Sequence, residues 1–364
     1  MWTTNRVTKM LGLELPIFQG PFGGGNSTPA LAAAVSNAGA LGAYGAVGLG
    51  PDDIARIVAE IRALTSKPFA VNLWVPILDQ EAERVAPERV ERSLSRLRPF
   101  LRAYGLNEAT PERARFGFEL QVEALLAAAP PVFSFVMGVP DRAIIDEIRR
   151  RGGKSIGTAT TVDEGVALDE AGLDVIVASG SDAGGHRGSF LRPVEQSLIG
   201  TMSLVPQIAR AVRAPVIAAG GIVDGRGIAA ALALGAEGVQ IGTAFLATDE
   251  SGAPAAHKAL LGTERARITR LTRAFSGRHA RGIENELMVA FDAHPEDILP
   301  YPAQNEATRE LRRAAAAAGR AEHLALWAGQ CAPLARPMGA AALVARLADE
   351  TDRALREEAL QPRP

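Results

Sequence analysis

Eight short apolar or β-rich runs recur along the chain between helical patterns: PIFQG (16–20), LGAYGA (41–46), FAVNLW (69–74), VFSFVM (132–137), SIGTAT (155–160), VIVASG (175–180), PVIAAG (215–220) and GVQIGTAF (238–245). Continuous apolar character without strict alternation is the pattern of parallel strands covered by helices. Helical patterns lie between them over residues 28–37, 51–64, 141–150, 162–171, 202–212 and 227–234. Thr28-Pro29 and Gly50-Pro51 put proline at a first helical turn, and Gly39, Gly172 and Gly235 stand where helices end. Strand then helix, eight times over, predicts an α/β fold of the (β/α)8 TIM-barrel class.

The barrel is expected over residues 1–249. Between its third and fourth strands, residues 77–128 are rich in Arg and Glu at helical spacing and longer than one crossover requires, which predicts a helical insertion. After the eighth strand the alternation stops. Residues 250–334, with the Ala-rich LRRAAAAAGRAEHLALWAGQ, are expected to form helices and loops capping the barrel mouth, and 335–364 to carry a helix, over 339–360, that returns to the barrel wall.

Composition removes several function classes. The net charge is -2 and no block of Lys and Arg stands out, so neither nucleic acid nor an anionic membrane is an expected partner. Cys331 is the one cysteine, which excludes an intrachain disulfide and a cysteine-based metal site and suits a reducing compartment. No signal-peptide pattern or bilayer-length apolar run is present, so the expected location is cytoplasmic. His257, His279, His294 and His323 lack metal-ligand spacing and are expected at the surface, with no metal. Neither a P-loop nor G-x-S-x-G occurs.

Barrel enzymes place working residues at the carboxyl ends of strands, and the loops after strands seven and eight commonly bind phosphate. Here these ends carry Gly220, Gly221, Gly242 and Thr243, a candidate cradle of backbone N–H groups with one hydroxyl. Gly225-Arg226-Gly227-Ile228-Ala229-Ala230, with Asp249 further on, fits a dinucleotide fingerprint, but it does not turn directly from a strand. The loop Ser179-Gly180-Ser181-Asp182-Ala183-Gly184-Gly185-His186-Arg187-Gly188 sets a histidine among glycines, where the backbone can approach a flat ligand and His186 can move a proton near neutral pH. Arg187 either favours an anionic substrate or anchors the loop to a carboxylate. Tyr301, in the expected cap, is a candidate for closing the pocket.

These residues resemble the nitronate monooxygenases, a family of FMN-dependent (β/α)8 enzymes. The resemblance runs through PIFQGPFGGG, AAAVSNAGALG, PFAVNLWVP, GSDAGGHRG, PVIAAGGIVDGRGIAAALALGAEGVQIGTAF, FSGRHARGIENEL and YPAQ…LWAGQ. It implies FMN contacts at Gly20, Pro21, Phe22, Asn72, Ser179, Gly184, Gly220 and Gly221, and at Gln240, Ile241, Gly242 and Thr243, with His186 as the catalytic histidine. It also implies small-molecule substrates, a nitronate or nitroalkane together with O2, converted to a carbonyl compound and nitrite, with His186 as base or orienting group. Three positions depart from the family pattern: Ser179 where Gln is usual, Asp182 where Glu is usual, and Phe22 where Met is usual. An FMN-dependent NAD(P)H reductase, of quinone or enoyl-acyl-carrier-protein type, is the alternative enzyme; a flavin-binding protein without turnover is the alternative outside catalysis.

Overall fold

The computed structural model describes residues 2–76, 85–107 and 117–360. The apolar runs form β1 (Ile17–Gln19), β2 (Gly42–Gly45), β3 (Phe69–Trp74), β4 (Val132–Val136), β5 (Lys154–Ala159), β6 (Val175–Ser179) and, after a two-residue strand β7 (Gly185–His186) that pairs elsewhere, β8 (Val216–Ala219) and β9 (Gly238–Ile241). The eight long-run strands are parallel, in the order β1-β9-β8-β6-β5-β4-β3-β2. Closure falls between β1 and β2: Phe18 bridges to Leu41, Leu41 N–H donates to the Ile17 carbonyl at 2.9 Å, and Gln19 N–H donates to the Leu41 carbonyl at 2.9 Å. Buried Gln19 strengthens this seam, accepting from Ala43 N–H at 2.8 Å while its amide donates to the Gly20 carbonyl. Every polar group of the buried side chain thereby finds a partner where the ladder is short.

Period-2 alternation sorts the strand residues into two sets. Ile176, Ala178, Ala218, Val239 and Ile241 face outward into the core shared with the helices. Phe18, Ala43, Ala70, Val132, Ile156, Val175, Val177 and Ile217 fill the barrel interior, and the helix Arg6–Leu11 plugs its amino-terminal end with Val7 and Leu11. Two residues further along the same inward rows stand Asn72, Ser134, Thr158 and Ser179. The interior is therefore apolar below and polar at the carboxyl ends.

Of the expected insertion, residues 77–84 and 108–116 lie outside the described residues. The helix Phe118–Ala128 is an ordinary crossover packed on the helix Pro51–Leu64. The helix Pro87–Arg102 is the extra element. It sets Leu97 and Leu101 against Phe275, Leu287, Phe291 and Leu311 of the cap, and Arg92 and Arg96 both pair with the buried carboxylate of Asp297. His294, Glu296 and Asp297 stand close enough to share a cation, but those two arginines already occupy Asp297.

The cap departs from the expected helices and loops. It contains an antiparallel pair, β10 (Thr269–Thr272) and β11 (Ala280–Ile283), and β11 also pairs with β7, setting Ala280 opposite His186 and Arg281 opposite Gly185. These strands are four residues long and carry Arg270 and Arg281 in place of alternating apolar residues, so period-2 reading misses them. The final helix, Ala340–Leu360, lies on the helices Gly225–Ala233 and Pro29–Asn37. A Cβ at Gly225 would overlap the Glu350–Thr351 backbone. The first glycine of the fingerprint-like segment thus serves helix packing, which removes the dinucleotide reading. Among the described residues, no helix is long and apolar enough to cross a membrane.

Two histidines expected at the surface are buried. His257 is 1% exposed and His323 is 3% exposed, both enclosed within the cap itself, while His279 and His294 remain partly exposed. Burial pushes the His257 imidazole down to about 4, with a hydrogen bond donated by the ring to the Trp327 backbone opposing part of the shift. The folded state therefore binds fewer protons at this site than the unfolded chain, whose histidines titrate near 6.5. Stability is fully present above about pH 6.5 and falls as pH drops toward 4, by up to about 1.4 kcal/mol per pH unit for this residue. Urea unfolding of the wild type and of His257→Gln between pH 4.5 and 7.5 should show a shallower pH dependence in the variant. Parallel curves would contradict the burial of a neutral imidazole.

Candidate active site

A cavity of about 1290 Å³, its open mouth included, occupies the carboxyl end of the barrel. Its floor is the polar upper layer: Asn72, Thr158, Ser179 and Gln240 all line it. Asn72 is held by donation of its amide to Ser134 Oγ at 3.0 Å, an interaction set by the β3–β4 register that places the two residues opposite each other. Gly20, Pro21 and Phe22 form one wall, and Gly184, Gly220, Gly221, Gly242 and Thr243 line others. The structure thus gathers nearly all the sequence-predicted residues around one space. Ile241 and Tyr301 are placed differently. The Ile241 side chain points outward into the core, leaving its carbonyl to accept from Gly20 N–H at 2.8 Å. Tyr301 does not line the cavity but packs against Trp74, ring centroids 5.6 Å apart.

The glycines are there for different reasons. Gly220 and Gly221 have φ of +109° and +67°, a region that side chains disfavour, and a Cβ at Gly220 would stand 2.7 Å from Thr201 Oγ1. A Cβ at Gly184 would overlap the backbone of Ala328 and Gly329, so this glycine lets the cap segment lie directly on the loop after β6. Gly242 has φ of −99°, and a Cβ there would meet only Phe22 Cε1, at 3.7 Å. Its missing side chain leaves open cavity.

His186 stands on β7, not on a free loop, and its backbone register with β11 fixes where the ring projects. Two indoles flank the imidazole edge-on, Trp74 at 4.8 Å and Trp327 at 5.3 Å between centroids. Its Nε2 is 2.8 Å from Ser276 Oγ. Burial, reinforced by the charges of Arg278 and Arg312, pushes the imidazole down to about 3, so it is neutral at pH 7. Sequence reasoning missed Trp74, Trp327 and Ser276 as members of this site. All three lie inside family-like motifs, but no local pattern ties them to His186 across the chain.

The loop around the histidine is braced from below. Arg187 is 1% exposed and donates to the carbonyls of Gly180 at 2.6 Å, Ser179 at 3.0 Å and Ser197 at 3.4 Å. Neither expected role is seen among the described residues: Arg187 does not line the cavity and meets no carboxylate, but ties three backbone carbonyls together. Burial lowers its pKa to about 10, which leaves it a cation. Buried Glu164 accepts from the N–H groups of Thr160, Thr161, Phe190 and Leu191 and from the Thr160 hydroxyl. Asp182 accepts from Thr201 N–H at 2.7 Å, capping the helix Thr201–Ala211, so its shorter side chain is accommodated structurally. The cap segment closes the far side: Gly329 N–H donates to Thr243 Oγ1 at 2.9 Å, Gln330 N–H to the Asp182 carbonyl at 3.0 Å, and Cys331 Sγ lies 3.0 Å from the Gly221 carbonyl.

Comparison with known proteins agrees with this architecture. Residues 4–350 match the family model described as nitronate monooxygenase. The chain is 41% identical over 347 residues to a probable nitronate monooxygenase of Staphylococcus saprophyticus, covering 94% of this chain and 96% of that one. It is 43% identical over 340 residues to one of Staphylococcus aureus strain Newman, covering 92% and 94%. The fold superposes on a nitroalkane oxidase from Streptomyces ansochromogenes with a TM-score of 0.89 and 41% identity over 98% of this chain and 100% of that one. FabK from Thermotoga maritima is similar at a TM-score of 0.77 and 30% identity, covering 98% of each chain. The chain belongs to the nitronate monooxygenase family.

Proposed function

We propose that this chain holds FMN in the barrel-mouth cavity and oxidises nitronates, and nitroalkanes after proton removal, with O2 to a carbonyl compound and nitrite. The observation that carries the reading is a neutral imidazole presented between two indoles to a cavity otherwise walled by glycine backbone, amides and hydroxyls. The residues present suit a flat heterocycle bearing one phosphate. Gly220, Gly221 and Gly242 would offer backbone N–H groups to the phosphate. The Thr243 hydroxyl, already accepting from Gly329, keeps its proton for the same anion. Gly20, Pro21, Phe22, Asn72, Ser179, Gly184 and Gln240 would hold the ring system. When bound, FMN supplies the electron transfer and the reaction with O2.

His186 deals with the proton. For a neutral nitroalkane the Cα–H bond breaks, the proton goes to the imidazole, and the electron pair stays on the substrate as nitronate. Burial, and after it the positive field of Arg278 and Arg312, opposes imidazolium formation, while the same field favours the nitronate formed beside it. Trp74 and Trp327 exclude water around the ring and offer apolar faces to an alkyl substituent. A substrate that arrives as nitronate needs no proton removal.

Gly242→Val separates ligand contact from folding, since its backbone is unstrained and its Cβ direction is open. Compared with both proteins stripped of flavin, the variant should unfold at the wild-type midpoint, and as purified it should retain at least about tenfold less flavin, as a loss of one unit of log affinity requires about 1.4 kcal/mol. Flavin released by heat and separated by chromatography should be FMN; full occupancy in Gly242→Val, or recovery of FAD, would contradict the cradle.

His186→Asn should keep the flavin and lose roughly 10²-fold in kcat/KM for a neutral nitroalkane, the scale of a positioned base. The loss should be smaller for the preformed nitronate. Equal losses for both substrates from pH 7 to above pH 8 would show that His186 does not remove the proton.

A further inference from the structure

The hydrogen bonds around Ser276 determine which nitrogen of His186 carries its proton. Ser276 is buried; its Oγ is 2.8 Å from His186 Nε2 and 3.2 Å from both the carbonyl oxygen and the N–H of Arg278. A hydroxyl has one proton to donate and two lone pairs to accept with. The Arg278 N–H takes one lone pair. When the hydroxyl proton points to the Arg278 carbonyl, the remaining lone pair receives an N–H from the imidazole, and all three contacts are hydrogen bonds. When the proton points instead to Nε2, the carbonyl contact is lost and one bond fewer is made. In a buried cluster the arrangement that leaves no contact unused is preferred.

We infer that Ser276 is a positioning residue that holds His186 as its Nε2–H tautomer, leaving the Nδ1 lone pair turned to the cavity as the proton acceptor. Nδ1 has no hydrogen-bond partner among the described residues, His186 lines the cavity, and Nδ1 is not sealed off without a partner as Nε2 of His257 is. The charged groups that act on the ring, Arg278 and Arg312, are both cations and donors, so neither offers an acceptor that would hold a proton on Nδ1. Trp74 and Trp327 stand steeply inclined to the imidazole, at interplanar angles of 70° and 62°, and an indole nitrogen is a donor only. The catalytic consequence rests on the proton-accepting role of His186 proposed above: the Cα–H bond of the nitroalkane breaks, an Nδ1–H bond forms, the imidazolium keeps its Nε2–H on Ser276, and the electron pair remains in the nitronate. A fixed tautomer spares the ring a rearrangement before each proton transfer.

The test uses the purified protein labelled with 15N-histidine and long-range 1H–15N NMR near pH 7.5, which distinguishes the two neutral tautomers; His186→Asn identifies the signal among the five histidines. The wild type should show His186 as Nε2–H. Ser276→Ala should move it toward a mixture with Nδ1–H, and Ser276→Thr, which keeps the hydroxyl, should restore the wild-type pattern. In turnover, Ser276→Ala should lower kcat/KM for nitroethane by about tenfold and change that for its preformed nitronate by less than about twofold, the effect of one hydrogen bond on a base. An Nδ1–H pattern in the wild type overturns the inference even if Ser276→Ala fails to fold, and so does an unchanged pattern in that variant. A wild type that turns over neither substrate would refute the proposed function, while the NMR pattern would still decide the tautomer.

Discussion

Closure of the barrel between β1 and β2 is the constraint on which the site depends. A sheet of three- to six-residue strands can bury its interior only if every strand keeps the same inward row. The seam at Phe18, Leu41 and Gln19 sets that row for both ends of the sheet. Once it is set, Ala70 leads to Asn72, Val132 to Ser134, Ile156 to Thr158 and Val177 to Ser179. Apolar packing below then hands over to a polar floor above. A slip of one residue would turn Asn72 outward and bring Val71 or Leu73 into the cavity.

The floor alone carries no imidazole. His186 reaches it because β7 pairs with the cap strand β11, and the same cap carries Ser276 on one side of the ring and Trp327 on another. Arg187 beneath the loop and Glu164 beside it keep the strand-six connection in place through backbone groups. The cap is in turn held by the helix Pro87–Arg102, whose Ser93 hydroxyl donates to Gln304 at 3.1 Å while the Gln304 amide donates to the Ala274 carbonyl at 2.8 Å. Insertion, cap and histidine thus form one connected support.

Much of this was readable from the chain itself. The eight strands lie where continuous apolar runs place them, and Pro51–Leu64 and Val162–Ala171 have the bounds that proline and glycine signals give. Local chemistry determines those features. The cap strands β10 and β11 were not readable, because their own residues are as polar as a loop and the second partner of β11, β7, lies far away in the chain. Likewise nothing near Ser276 or Trp74 announces a histidine, and nothing near His257 announces burial. Arg187 was misread for a related reason: whether a guanidinium meets a carboxylate, a ligand or three carbonyls is decided by tertiary contacts. The glycines at 220, 221, 225 and 242 look alike in sequence, and only their surroundings separate backbone strain, helix packing and open cavity.

The most direct measurement is an anaerobic titration of the purified protein, followed by flavin absorbance, with a preformed nitronate and separately with NADH. The account predicts that the nitronate rapidly bleaches the oxidised-flavin band, that NADH does so slowly or not at all, and that admitting O2 to the nitronate sample restores the band with release of nitrite. Rapid bleaching by NADH with no response to nitronate would contradict it and identify a nicotinamide-dependent reductase; absence of a response to either donor would leave a binding protein without this catalysis.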